Sequence, residues 1–378
     1  MKQDESFFPQ SGDIRFISPP KKLKMSDYKD VRNQLINHFS TSKDVISLYE
    51  FGTVNAPSIS DIDLMLVLKD HPSDKIHSLL ERSSISPMAR YLMMDNTLMI
   101  VNEKGFKNIP MWDDMSLNRL YGKNIEGVVI PKEDELFIEI ARVMDWLPER
   151  TMRMVELLVR REIPTRATLC LINSFIYVLQ RLRISFDLKF EEADEYISTF
   201  NRLRSDWFDI DVKDRHEILY TYLKQGICFG FKAINLFDEY CVKERFYNND
   251  LCPDSGIFRL NPKITSWTTK KMFYNFSNDS RFITAKESFE RSIESKSSVI
   301  VIPVSYYQHI LSYGMNKKTI SNKIFKSINP PGDDKILERM NQDLRKVLDK
   351  RIQIIDDMGL FLNNNLVSSG LLKFGWFL

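Results

Sequence analysis

The chain has 378 residues, 43% of them apolar and 28% charged, and its 53 basic and 51 acidic side chains leave a net charge of +2. That composition gives room for two or three domains and excludes a disordered, collagen-like or disulfide-stapled chain. A near-neutral balance does not by itself call for a polyanionic partner, and no apolar run is expected to reach the length of a membrane span.

Met1 to Gln10 is polar and acidic apart from Phe7-Phe8, which does not suit a signal peptide. Cys170, Cys228, Cys241 and Cys252 form no Cys-x-x-Cys pair and have no histidine at metal spacing, so reduced thiols and a cytoplasmic setting are expected. Residues 1–25, with Pro9, Pro19-Pro20 and Lys21-Lys22-Lys24, read as an arm or linker. Ser26 can cap a helix to about Phe39, with Tyr28, Val31, Leu35, Ile36 and Phe39 on one face. Val45 to Phe51 reads as the first strand.

Gly52-Thr53, a small-residue loop, Ser60-Asp61-Ile62-Asp63 and the run Leu64–Leu68 follow. Five consecutive apolar residues predict a strand buried on both faces. Side chains alternate along a strand, so Asp61 and Asp63 share one face, about 6.6 Å apart along the chain, while Ile62 and Leu64 take the other. Two carboxylates at the mouth of a buried strand are costly unless a cation pairs with them, and a divalent metal held through oxygens suits them. The Gly-Thr turn beside them offers backbone N–H groups for phosphate.

After Leu68, Lys69–Pro72 is a turn and Ser73 is expected to cap a short helix through about Arg82. Tyr91–Met94 and Leu98–Val101, separated by Asp95-Asn96, read as a hairpin or one bulged strand. Residues 104–130 are mixed. Arg119–Lys123 reads either as a basic segment reaching phosphate or acceptor or as a surface loop, Val128–Ile130 as a strand, and Pro131 as a boundary. From Glu133 the period turns helical, in segments Glu133–Trp146, Glu149–Arg161, Arg166–Leu182, Glu191–Leu203 and Val212–Arg245. Pro148 and Pro164 then fall at helix starts. Gly226 and Gly230 suit close helix packing; Arg142, Arg153, Arg160 and Arg166 read first as solvated helix charges, with one of them facing a triphosphate as the other reading.

Asn248 to Lys263, with Pro253, Gly256 and Pro262, suggests a loop and a second boundary. Residues 263–326 hold eleven Lys/Arg against four Asp/Glu, interleaved with Trp267, Phe273, Tyr274, Phe276, Tyr306, Tyr307 and Tyr313. Such a stretch suits either a nucleic-acid surface or an ordinary small domain with basic faces. Val299–Ile302 reads as a buried strand and Asp333 to about Asp357 as a long helix. The apolar tail 371–378 reads as a docking segment, on its own domain or on a protein partner.

Phe51-Gly52-Thr53 and Ser60-Asp61-Ile62-Asp63-Leu64 resemble the signature of the DNA polymerase β-like nucleotidyltransferase superfamily: a hydrophobic residue, Gly-Ser or a near variant, a loop, then Asp-hydrophobic-Asp-hydrophobic. The helix, strand, loop, strand order around it also agrees. The seven residues between Thr53 and Asp61 are fewer than is common there, and Ala56-Pro57 replaces a second glycine. The resemblance covers about the first third of the chain and implies a small mixed-sheet nucleotidyltransferase core (26–130), with a helical bundle (131–247) after it that also fits. With the arm (1–25) and a C-terminal, α/β or mainly helical domain of unknown role (248–378), which shares no resemblance, the expected fold is α+β. The resemblance implies Asp61 and Asp63 as Mg²⁺ ligands in a two-metal site, with Gly52, Thr53 and Ser60 toward the nucleoside triphosphate. A third carboxylate is also implied, with Asp95 the first candidate and Glu103 the second; Asp95 reads equally as a plain turn aspartate, and neither stands in a hydrophobic-Asp-hydrophobic frame. The expected reaction moves a nucleoside monophosphate to a small-molecule or protein acceptor. An RNA-end nucleotide-adding enzyme and a non-catalytic nucleotide-binding regulator are the alternatives.

Overall fold

A computed structural model of the chain describes residues 10–94, 98–111, 114, 116–188 and 193–246, three later strands, and a few positions in 342–350. The elements in chain order are β1 (Arg15–Ile17), α1 (Met25–Phe39), β2 (Val45–Phe51), β3 (Asp63–Leu68), α2 (Lys75–Leu79), α3 (Pro87–Leu92), β4 (Leu98–Asn102), α4 (Glu103–Lys107), β5 (Leu117–Gly122), α5 (Lys132–Arg160), β6 (Glu162–Pro164), α6 (Thr165–Phe186), α7 (Ala193–Ser205), α8 (Val212–Lys243), β7 (Ser255–Leu260), β8 (Tyr274–Phe276) and β9 (Val299–Pro303). The fold is α+β, with a small mixed sheet and several helices. Two compact units divide the chain, one within 21–135 and the other combining 136–348 with the N-terminal segment before Lys21.

In the first unit the sheet order is β4-β3-β2-β5. β2 runs antiparallel to both β3 and β5, whereas β3 and β4 are parallel. Every residue from Leu64 to Leu68 is fully buried, as the unbroken apolar run predicts. Burying such side chains contributes about 1.5–3 kcal/mol each, which anchors the strand that carries Asp63. Leu48, Leu64, Leu66, Leu98 and Ile100 face Tyr28, Val31, Leu35 and Phe39 of α1 and Ala89 and Leu92 of α3 in one core. The first turn of α1 is closed by Asp27, whose carboxylate accepts from the Lys24 N–H at 2.7 Å; Lys24, not Ser26, takes the cap position.

Four local expectations give way here. Tyr91–Met94 is no strand. Tyr91 and Leu92 end α3, because Ser86 caps the Ala89 N–H, Pro87 sits in the first turn, and Ala89, Leu92 and Met93 recur at helical spacing on the core side. α2 is shorter than expected, and the Ser73 hydroxyl donates to the Asp44 carboxylate at 2.5 Å instead of capping. Val128–Ile130 is irregular. The further strand is β5, one of the two edges of the sheet, earlier in the mixed segment 104–130.

In the second unit α5 runs unbroken through Pro148, so that proline starts no helix. Pro164 does stand at the cap of α6. The N-terminal arm is tied down: β1 pairs in parallel with β6, and Phe16 stacks on His216 of α8 at 4.2 Å. α8 approaches its neighbours closely at its glycines. A Cβ on Gly226 would lie 2.7 Å from the Tyr196 hydroxyl, and one on Gly230 would lie 2.4 Å from Thr151 Oγ1. Among the described residues α6 is long and apolar enough, by length and composition only, to cross a membrane, as the core helix of a globular unit also can be. It packs on α7 and α8 through residues such as Leu169, Ile172, Phe175 and Leu179. Cys170, Cys228 and Cys241 are free thiols. β7 lies between β8 and β9 in an antiparallel sheet, so part of the expected loop 248–263 is a strand. Cys252, the long C-terminal helix beyond scattered helical positions, the tail 371–378 and most of the basic stretch 263–326 lie outside the described residues.

Candidate active site

The end of β2 delivers the chain to Gly52, whose φ of +76° is the left-handed region where a Cβ is strained. Phe51 pairs with Asp63 in the ladder, so this turn stands directly beside the first residue of β3. An added Cβ on Gly52 would lie 4.0 Å from Asp63 Oδ2. Gly52 and Thr53 are exposed, and the structure assigns their N–H groups no acceptor among the described residues. Backbone donors and a carboxylate are therefore presented together at one edge.

Asp61 and Asp63 are each half-buried, while Ile62 and Leu64 between and after them are fully buried. Ile62 and Leu64 belong to the core under α1 and α3, so Asp63, the first residue of β3, takes the opposite sheet face. Asp61 precedes the strand, and its backbone is held on both sides. The Ser60 carbonyl before it accepts from the Tyr28 hydroxyl at 2.7 Å, and the Ile62 N–H after it donates to the Leu92 carbonyl at 3.0 Å.

Between Gly52 and Asp61 the chain forms a short loop in which Ser58 and Ser60 are buried. The Ser60 N–H donates to the Ala56 carbonyl at 2.8 Å, and Ser60 Oγ accepts from the Ala56 N–H at 3.1 Å. Ser60 is only 4% exposed, which places its hydroxyl in the interior of the loop, where Thr53 is on its surface. Ser58, at φ +79°, donates its N–H to the Tyr28 hydroxyl at 3.0 Å, and its Oγ accepts from the Leu23 N–H at 2.6 Å. The other side of the loop is steadied by Glu50, which accepts two hydrogen bonds from Arg32, each 2.7 Å. Tyr28 and Arg32 thus grip the two ends from one helix, four residues apart. The sequence showed Tyr28 as one more apolar-face residue; its phenol, which needs a partner when buried, was the signal to follow.

The candidates for a third acid separate. Glu103 opens α4 at the far end of the sheet, beyond Asn102, the partner of Leu68. The strand from Leu64 to Leu68, about 13 Å long, lies between it and the Asp63 end. Its carboxyl is held below its ordinary pKa by hydrogen bonds from Lys107 and then Lys123. Glu103 is therefore no partner of Asp61 and Asp63. Asp95 lies outside the described residues; Leu98, three positions on, pairs with Leu64 at the carboxylate end. Among the described residues no group of three or more His, Cys, Asp or Glu is arranged to hold a metal ion.

Of the basic segment, Lys123 is engaged with Glu103 at 3.1 Å. Arg119 is exposed and pairs with Tyr49, two residues before Phe51, which puts it on the Asp63 face of the sheet. Arg142 and Arg166 are not solvated helix charges, being 4% exposed each. Arg142 pairs with Glu139, which also accepts from Arg181 at 2.6 Å.

No protein family, curated protein or solved structure matches this chain.

Proposed function

We propose that the chain is a Mg²⁺-dependent nucleotidyltransferase, transferring a nucleoside monophosphate from a nucleoside triphosphate to a small-molecule or protein acceptor. One observation carries the reading: the left-handed Gly52 turn stands against the Asp63 carboxylate, with Asp61, also half-buried, two residues before it. Mg²⁺ is commonly held by one or two carboxylates, with substrate phosphates and water completing its shell, and this donor set fits that demand. Asp61 and Asp63 are the ligands in this proposal, and Asp95 is the third acid it adds. When bound, the metal supplies charge neutralisation on the phosphate oxygens.

The chain's own residues supply the rest. Gly52 lets the backbone approach the triphosphate, and the Gly52 and Thr53 N–H groups, with the Thr53 hydroxyl, donate to its oxygens. The acceptor's oxygen or nitrogen forms a bond to the α-phosphorus. The bond to the β-phosphate oxygen breaks, pyrophosphate leaves with the electron pair, and the acceptor's proton passes to water. Fixed donors aimed at the phosphates stabilise charge as it develops. Reduced thiols at Cys170, Cys228 and Cys241 suit the cytoplasm, which belongs to the same proposal.

The test is pyrophosphate release from each nucleoside triphosphate with Mg²⁺, with cell extract as acceptor source and α-labelled nucleotide as tracer. Asp61→Asn and Asp63→Asn are each expected to lower the rate by about three orders of magnitude, while the folded state is kept. Label on small molecules or protein supports the leading reading; label on RNA ends shifts the acceptor to RNA. Nucleotide binding with no pyrophosphate release leaves a non-catalytic regulator.

A further inference from the structure

We propose that Tyr28 is a positioning residue that sets the Asp61 carboxylate for metal and nucleotide; the inference rests on the nucleotidyltransferase reading. Tyr28 is fully buried in α1, and its hydroxyl uses both hydrogen-bonding capacities on the loop: it accepts from the Ser58 N–H and donates to the Ser60 carbonyl. That carbonyl belongs to the peptide bond leading into Asp61. A planar peptide held by its oxygen cannot rotate freely, so the phenol restricts the direction in which Asp61 leaves the loop. On the other side Ile62 is fully buried and its N–H is held by Leu92. Asp61 precedes β3, so the ladder that orients Asp63 does not extend to it.

The loop needs such a hold. It turns through a left-handed non-glycine residue, Ser58, a conformation about 1–2 kcal/mol above the right-handed one for residues with a Cβ. The short loop keeps that conformation because the buried phenol takes up its N–H and the next-but-one carbonyl. Residues that orient metal ligands from behind are worth about 10–100-fold in metal affinity or activity.

The experiment measures Mn²⁺ binding to the full chain by the loss of the free-ion electron paramagnetic resonance signal. It compares wild type, Tyr28→Phe, Asp61→Asn and Ser73→Ala. Tyr28→Phe keeps the ring and removes only the hydroxyl. Ser73→Ala removes a hydrogen bond to Asp44 at the opposite end of the sheet and controls for general loosening. The expected result is Mn²⁺ affinity about tenfold or more weaker in Tyr28→Phe and unaltered in Ser73→Ala. In turnover, kcat falls while the KM for nucleotide, set by the Gly52–Thr53 side, holds. Wild-type binding that Tyr28→Phe leaves unaltered overturns the inference alone, and so does an equal loss in Ser73→Ala. No Mn²⁺ binding by wild type, alone or with a non-hydrolysable nucleoside triphosphate beyond what the nucleotide itself binds, overturns the functional reading and this inference with it. Amide exchange in the wild-type chain is a second measurement that needs no variant. The Ser58 N–H is expected to be protected without metal, and exchange as fast as that of the exposed Thr53 amide refutes a preformed clamp.

Discussion

Replacing Gly52 separates the turn's backbone requirement from its role in binding. At φ +76° an alanine costs about 1–2 kcal/mol in the left-handed region. Alanine also restricts the unfolded chain more than glycine does, which returns about 0.4–1 kcal/mol. The nearest atom to the new Cβ is Asp63 Oδ2 at 4.0 Å, an ordinary contact, so no steric term is added. The net loss is about 0.5–1 kcal/mol, or about 0.5 M in urea midpoint for a unit of this size. Gly52→Asn, which tolerates this conformation, is expected to lose less, and Gly52→Val, β-branched, to lose more. Binding should follow a different order. Every side chain at 52 stands before the Asp63 carboxylate where phosphate approaches, so all three variants are expected to bind nucleotide with Mg²⁺ at least about tenfold more weakly. Urea unfolding followed by circular dichroism gives the first order and calorimetric titration the second. Gly52→Val as stable as Gly52→Ala would refute the left-handed turn. Wild-type nucleotide affinity in Gly52→Ala would refute backbone approach as its purpose.

Glu103→Gln is expected to change pyrophosphate release less than about twofold, since Glu103 lies at the far end of the sheet, whereas Asp95→Asn should lower it as the Asp61 and Asp63 variants do; equal effects of the two would sink the assignment. Gly230→Ala drives a Cβ into Thr151, whose hydroxyl is tied to the Leu147 carbonyl, and should destabilise the helical unit by about 1–3 kcal/mol. Adding Thr151→Ala should recover part of that loss in the same melt. His216, beneath Phe16, has its pKa lowered by burial and then by Arg215. A depressed folded-state pKa means stability present above the unfolded value of about 6.5 and lost as pH falls through the folded value. Thermal melts between pH 7 and 5 should therefore show a fall in the wild type that His216→Phe, which keeps the stack, does not share.

Periodicity carried the sequence reading wherever burial follows it directly. The apolar face of α1, the doubly buried β3 and the outward side of Asp63 were all legible, because side-chain alternation and helical spacing are local properties. The close approach at Gly226 and Gly230 was legible for the same reason. Tyr91–Met94 was not: four apolar residues fit a strand or a helix end, and the cap at Ser86 decides only once the α3 face has a core to meet. Pro148 misled because a long amphipathic helix can pass through a proline when tertiary packing holds its flanks.

The sequence by itself determined which residue types stand at the mouth of β3 and which face Asp63 takes, since both follow from chain order and alternation. Tertiary structure alone decided their company. The pairing of Phe51 with Asp63 puts Gly52 against the carboxylate, and the parallel pairing of β3 with β4 sends Glu103 to the far end. Folding α1 under the loop makes Tyr28 the support of Asp61. These are contacts between residues distant along the chain, and register and packing, which no local pattern encodes, bring them together.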